Sequence, residues 1–206
     1  SRTYSIINIA GLAIGMAACI MILLYIRYEK SYDAWLADAE YTYEFQTWGP
    51  HPRDGEPFFF QMASYVTKDR IKKDFPQVVS AAYIQDNEPV FIKDGQASAT
   101  ERFMFTDDDF LKVVSLPLLS GTSLTQPQTA VITKTEAIKR FGTDQVIGRT
   151  ITVISRGIKR DFKINGVLKD LPKNSSMKVN AIMRLDYGPF NANNPQFLTC
   201  WGCQSG

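Results

Sequence analysis

The sequence holds a single histidine, His51, and three cysteines among 206 residues. Chemistry that needs several imidazoles or thiolates is therefore thinly supplied. One His in a Pro/Gly-rich loop, with no cysteine or carboxylate cluster beside it, does not make a metal site. A serine or cysteine nucleophile would have to lean on that same His. No Gly-x-x-x-x-Gly-Lys-Ser/Thr phosphate loop occurs, so no ATPase site can be recognised. The formal net charge of +2 is too small to imply nucleic acid or an acidic surface as partner. Repeats and low-complexity tracts are missing as well.

Charge is missing altogether from residues 6–26, where Asn8 is the one strongly polar side chain. At 1.5 Å of rise per residue this run reaches roughly 31 Å, about the thickness of a hydrocarbon core, with every backbone polar group satisfied inside a helix. A cleaved signal peptide would have a basic start and a shorter apolar core, whereas only Arg2 precedes this one. Met16-Ala17-Ala18-Cys19 faintly resembles a lipoprotein box, but cleavage there would strand residues 20–26 as an exposed apolar stub. A retained transmembrane helix over residues 1–30, flanks included, is the expectation. Within it Gly11 and Gly15 form a small-xxx-small pair, continued by Ala18 and Cys19, which predicts a helix-packing face and hence a membrane partner. Arg2 before the span and Arg27, Glu29, Lys30 and Asp33 after it leave the orientation open by charge alone.

Residues 31–206 differ in kind: mixed in charge, rich in aromatics and broken by turns, which is the composition of folded material. Tyr41, Tyr43 and Phe45 alternate with polar neighbours and predict a first strand. Residues 49–57 read as a loop. Ala63, Val66, Thr67, Ile71 and Phe75 recur at helical spacing up to Pro76. Short strands are expected over 80–85 and 88–93, with Asp94-Gly95 turning a hairpin into the run up to Phe105. Thr106 with Asp109 predicts a capped short helix over 110–114. Thr133 with Glu136 predicts a capping box for a helix closed by Gly142, whose buried face would be Ala137, Ile138 and Phe141. Strands over 150–154, 162–168 and 179–183 follow, with turns at Arg156-Gly157 and 171–176. The pattern is α+β, and its apolar positions can bury one another, so the soluble part is expected to fold without the helix.

Three further features suggest less than they first offer. Asp107, Asp108 and Asp109 at a helix start read as complements of its N-terminal dipole rather than as a cation site. Lys68, Arg70, Lys72 and Lys73 read as a solvated helix face that could also meet anionic lipid. Cys200 and Cys203 have the Cys-x-x-Cys spacing of thiol oxidoreductases, but no strand and following helix frames them; chance or a structural disulfide fits better.

The segment Tyr4-Ser5-Ile6-Ile7-Asn8-Ile9-Ala10-Gly11-Leu12-Ala13-Ile14-Gly15-Met16-Ala17, continued by Leu24-Tyr25-Ile26-Arg27 and Tyr28-Glu29-Lys30-Ser31-Tyr32-Asp33, resembles the first membrane helix of ABC transporter permeases of the MacB/FtsX type. Asp109-Phe110-Leu111, Leu116-Pro117-Leu118-Leu119-Ser120-Gly121, Ala130-Val131-Ile132-Thr133, Ala137-Ile138-Lys139-Arg140-Phe141-Gly142, Ile147-Gly148-Arg149-Thr150 and the stretch from Gly166 to Ser175 look like landmarks of that family's periplasmic core domain, in its order.

The resemblance implies a transmembrane helix leading out of the bacterial inner (cytoplasmic) membrane into a two-lobed, mixed α/β periplasmic domain over residues 31–206. It implies a non-enzymatic permease subunit for export or mechanotransmission, without catalytic, cofactor or metal residues of its own. The implied partners are a cytoplasmic ABC ATPase subunit, a second permease copy or homologue, the membrane and a periplasmic protein. Family members return to the membrane for three further helices, which would lie beyond residue 206. The cysteines around Trp201 inherit no role from it. A rival reading is a bitopic anchor carrying an extracytoplasmic sensor or ligand-binding domain; a membrane-tethered thiol oxidoreductase rests on Cys200 and Cys203 alone.

Overall fold

The computed structural model describes residues 2–37, 39–51, 53–60, 67–85, 90–93, 96–99, 102–155 and 158–184. Helix α1, Arg2–Glu29, is exposed along its whole length and buries none of its residues against the described part of the chain. Its 28 residues reach about 42 Å, and the length and composition are those of a membrane span. Tyr4 at one end and Tyr25 and Tyr28 at the other fall where interfacial aromatics anchor such helices. The helix stops where the Ser31 hydroxyl donates to the Tyr28 carbonyl at 2.6 Å and Tyr32 closes on Tyr28 edge to face at 5.3 Å.

Among the described residues, the globular part is organised by one mixed sheet of nine strands, together with a separate two-stranded hairpin. The hairpin is β1 (Thr47–Pro50) with β2 (Pro57–Phe60), and Trp48 meets Phe59 across it at 4.6 Å. Helix α2 is Thr67–Asp74. The main-sheet strands that follow are β3 (Ile84–Gln85), β4 (Val90–Lys93), β5 (Gln96–Ala99) and β6 (Phe103–Thr106). After the one-turn α3 (Phe110–Val113) come β7 (Leu118–Gly121), β8 (Thr129–Thr133), α4 (Lys134–Phe141), β9 (Thr150–Ser155), β10 (Ile158–Leu168) and β11 (Ala181–Arg184).

The sheet runs β3-β6-β11-β8-β10-β9-β4-β5, with parallel pairing at β8/β10 and β6/β11. Strand β10 is long enough to take two partners on one side: its first half pairs with β9 and its second half with β7. Its register shifts between Ile164 and Gly166.

The central strands are buried on both faces. Phe103 and Phe105 of β6, Ala130 and Ile132 of β8, and Ala181 and Met183 of β11 join Phe162, Val153 and Ile151 in one core, with Ala137 of α4. The intervening Met104, Val131 and Ile182 point the other way, into a second core with Phe110, Leu116, Leu124 and Leu168. Two-residue periodicity thus splits one sheet between two apolar layers. The second layer is completed by Trp35 and Leu36, which lie just past the end of α1.

Several expectations are corrected. Tyr41, Tyr43 and Phe45 form no strand: a 3-10 turn at Ala39–Tyr41 leads into irregular chain, and these rings stand exposed at 73%, 85% and 50%. Alternation there has no buried face to serve. The strand lies instead at Thr47–Pro50, running into the stretch expected to be loop, where it pairs with β2 and Gly55 turns the hairpin at φ 73. Of residues 80–85 only Ile84 and Gln85 are in a strand, and the helix expected from Ala63 is described only from Thr67, residues 61–66 lying outside the described residues. Strands β4 and β5 pair antiparallel with Lys93 opposite Gln96, as a two-residue turn requires, although Asp94 and Gly95 lie outside the described residues, like Arg156 and Gly157.

Helix α4 has the expected ends. The Glu136 amide donates to the Thr133 hydroxyl at 3.3 Å, and Gly142 closes the helix at φ 71 with its N–H on the Ile138 carbonyl. Its buried face holds Ala137 as expected, with Phe141 packed against the core, but differs at one position. Ile138 is exposed, and Glu136 is buried instead, paired with Arg140, whose guanidinium lies 5.1 Å over the Phe103 ring.

Candidate functional site: the junction beneath the membrane helix

The chain leaving α1 is fastened to a loop near the far end of the domain. Asn174 donates from Nδ2 to the Ser31 carbonyl at 2.6 Å and to the Ser31 hydroxyl at 3.2 Å. Its own carbonyl accepts from the Asp33 amide at 3.1 Å. Asp33 returns the grip: Oδ1 accepts from the Ser176 amide at 2.9 Å and from the Ser175 hydroxyl at 3.3 Å, while Oδ2 accepts from the Ser176 hydroxyl.

Local geometry explains why these residue types stand here. Asp33 sits at φ 54, a conformation that Asp and Asn tolerate better than most side chains. The Asp33 carbonyl accepts from Leu36 at 3.0 Å, closing the turn that drops Trp35 and Leu36 into the second core. On the other side, Pro172 accepts from Ser175 in a tight turn that brings Asn174 and Ser176 to one side, with Ser175 fully buried between them. Partial burial opposes the Asp33 charge, but the Ser176 side chain and amide, the Ser175 hydroxyl and the nearby Lys178 outweigh it and hold the carboxyl below its ordinary pKa. Below the clasp, the Trp35 indole Nε1 is buried without a hydrogen-bond partner among the described residues.

A second electrostatic fastening ties α2 to the β6–α3 turn. Lys68 Nζ lies 2.7 Å from both Asp107 and Asp109, and Asp109 also meets Lys72 at 3.2 Å and Lys112 at 2.8 Å. Burial works against the Lys68 charge, yet the two carboxylates overcome it and raise its pKa. Burial likewise opposes the Asp109 charge, and hydrogen bonds from Lys112, Lys68 and Lys72 override it, driving the carboxyl far below the usual range. Asp107 and Asp109 therefore serve a cross-element ion cluster, in which Lys68 and Lys72 are not a solvated face, while the half-exposed Asp108 lies 3.8 Å from Arg184. Nor does Thr106 cap α3: its hydroxyl donates to the Tyr83 carbonyl at 2.6 Å, and Asp109 occupies the cap position without a side-chain cap bond.

Gly11 and Gly15 lie on the exposed surface of α1, and a Cβ added to either would meet none of the described residues within 4 Å. Cys19 is exposed on the same helix, and Cys200 and Cys203 lie outside the described residues. His51 sits in the β1–β2 turn, its Nδ1 accepting from the Arg53 amide at 3.3 Å and its ring edge on Phe58. Sequence reasoning singled out none of the clasp residues as a site, although both strips that form it stand among the landmarks quoted above.

The profile of the MacB-like periplasmic core domain matches residues 5–196. Among solved structures, a domain ascribed to a permease protein from Porphyromonas gingivalis superposes with a TM-score of 0.54 at 21% identity over 76% of this chain. The chain spans 65% of that domain's length, and the likeness is one of fold. The periplasmic region of MacB from Actinobacillus actinomycetemcomitans gives 0.43 at 16% identity, covering 72% of this chain and 67% of that one. The extracellular domain of the noncanonic ABC-type transporter YknZ from Gram-positive bacteria gives 0.37 at 15%, covering 56% and 57%. No curated protein matches. With a profile match running from the membrane helix through the last described strand, the chain belongs to the family of MacB-like periplasmic core domains.

Proposed function

We propose that this chain is part of the permease subunit of a bacterial ABC transport system, and that it carries motion from the inner membrane into the periplasm. The observation that carries the reading is the clasp between Ser31, Asp33 and Asn174–Ser176, which bonds the exit of α1 to the core of the sheet domain. A freely hinged tether would leave helix movements behind at the membrane surface. A helix whose exit is bonded to a turn beside β11, with Trp35 and Leu36 set in the second core, moves the domain with it.

ATP would be hydrolysed by a separate cytoplasmic subunit, and dimerisation of two such subunits would drive α1 through contacts with other membrane helices. Gly11 and Gly15 would seat a neighbouring helix, from the rest of the permease or from a second copy, by letting backbones approach closely. The chemistry asked of this chain is mechanical: it binds no nucleotide.

Detergent co-purification from the native membrane tests this. The full-length protein is expected to bring down a distinct ATPase, and Gly11→Leu with Gly15→Leu to weaken that assembly by filling the groove. Recovery of intact protein without an ATPase partner, or ATP turnover by this chain alone, would contradict the assignment.

A further inference from the structure

Beside the clasp lies an open groove of about 340 Å³ lined by Arg102, Lys173, Lys178, Leu171 and Met177, together with Asp170. We propose that this groove binds the headgroup of an anionic phospholipid from the leaflet into which α1 emerges. The inference rests on α1 spanning the bilayer, as proposed above, and goes beyond it by naming a ligand.

Helix α1 sets the height of the groove above the membrane. The apolar run of α1 ends at Ile26, and Ser31 follows five residues later; at 1.5 Å per residue this is about 7 to 8 Å beyond the hydrocarbon edge, at the outer edge of the headgroup layer. Asn174 is bonded to Ser31, so the loop bearing Lys173 is held at that level. Lys178 Nζ donates to the Lys173 carbonyl at 2.8 Å, which draws the second cation to the same loop. Arg102 joins from the adjacent strand edge, where its carbonyl accepts from the Asn180 amide at 2.8 Å.

Charge favours an anion. Asp170, the one carboxylate on the groove wall, is spent on α4: it accepts from the Thr135 amide and hydroxyl, both at 2.9 Å. The three cations thus outnumber it and face solvent. The apolar wall made by Leu171, Pro172 and Met177 suits the glycerol and first methylenes of a lipid better than the hydration shell of a free ion. The volume lies at the small end of ligand sites, room for a headgroup rather than a whole lipid. Lys178 is also among the groups that stabilise the Asp33 carboxylate, so a phosphate engaging it would act on the clasp.

The test is native mass spectrometry of the detergent-solubilised chain, membrane helix included, titrated with phosphatidylglycerol, with phosphatidylcholine and with soluble glycerol phosphate. Phosphatidylglycerol is expected to bind selectively. The triple variant Arg102→Gln/Lys173→Gln/Lys178→Gln should bind it about ten-fold or more weakly, given that each juxtamembrane cation contributes severalfold. The double variant Lys173→Gln/Lys178→Gln, which leaves the positive φ of Arg102 untouched, should show most of that loss with an unchanged circular dichroism spectrum. A matched control, Lys139→Gln/Lys159→Gln/Lys163→Gln, should bind like wild type. Equal binding by wild type and both groove variants, an equal loss in the control, or glycerol phosphate binding as tightly as the lipid would each overturn the proposal.

Discussion

Asn174 donates its side-chain amide to the carbonyl of Ser31 at 2.6 Å, although 143 residues separate them. That bond, with the Asp33 carboxylate gripping Ser175 and Ser176, makes the exit of the membrane helix part of the globular domain. Asp33→Asn keeps the size and tolerates the positive φ, so it isolates the charge. It should cost about 2 kcal/mol, the range of hydrogen bonds to a charged acceptor. Urea unfolding of the detergent-solubilised chain, followed by Trp fluorescence, measures it; an unchanged midpoint would mean that the clasp carries no stability.

The same residues set a pH dependence. Asp33 and Asp109 have pKa values below the ordinary carboxylate value of about 3.9, so their contribution is complete above it and is lost as pH falls through the folded values. Lys68 has a raised pKa, so its contribution is complete below about 10.4 and is lost as pH rises through the folded value. These groups therefore predict a plateau between about pH 5 and 10, with an acid limb below. Thermal scans across this range should show that limb, flattened in the Asp33→Asn/Asp109→Asn protein.

Gly121 and Gly166 cross at the β7/β10 pair. A Cβ on Gly121 would land on the Asn165 carbonyl at φ 83, and one on Gly166 would lie 2.7 Å from the Thr122 carbonyl oxygen. Gly148 has a similar φ of 86 but open space around it. Gly121→Ala should thus cost about 3 kcal/mol, against about 1 kcal/mol for Gly148→Ala, where only the backbone preference is lost. Denaturation midpoints of the two variants check the contrast, and equal values would refute the close approach.

Trp35 offers the opposite expectation. Its ring packs with the second core while Nε1 has no partner among the described residues. Trp35→Phe removes an unsatisfied donor along with some contact area, so its net cost should stay under about 1 kcal/mol, whereas Trp35→Ala should cost about 3 kcal/mol or more. A large loss in the Phe variant, measured by thermal unfolding, would show that the indole nitrogen has a partner in solution.

What the sequence revealed follows from which signals are local. An uncharged run of membrane length needs no tertiary context, so α1 was legible, and so were the Thr133 and Gly142 ends of α4. Strand β8 buries both faces, which removes the alternation by which strands are read, and it was visible only as a family landmark; β11, equally buried, was expected over 179–183 from the turn that precedes it. Tyr41, Tyr43 and Phe45 show the converse, alternation with nothing to bury. The aspartates were assigned to the nearest helix because the lysines that pair with them lie 37 and 39 residues away. The clasp was hidden for the same reason: two short polar strips acquire meaning only when topology brings them together.

The central claim is that the membrane helix and the sheet domain move as one body. It is tested by electron paramagnetic resonance distances between labels at Arg27→Cys, in the last turn of α1, and Lys159→Cys, exposed on β10, in the assembled transporter with native cysteines replaced. The account predicts one narrow distance distribution that stays the same with and without ATP and broadens when Asp33→Asn and Asn174→Ala are introduced. A wild-type distribution that is broad, or that shifts with nucleotide, would contradict it.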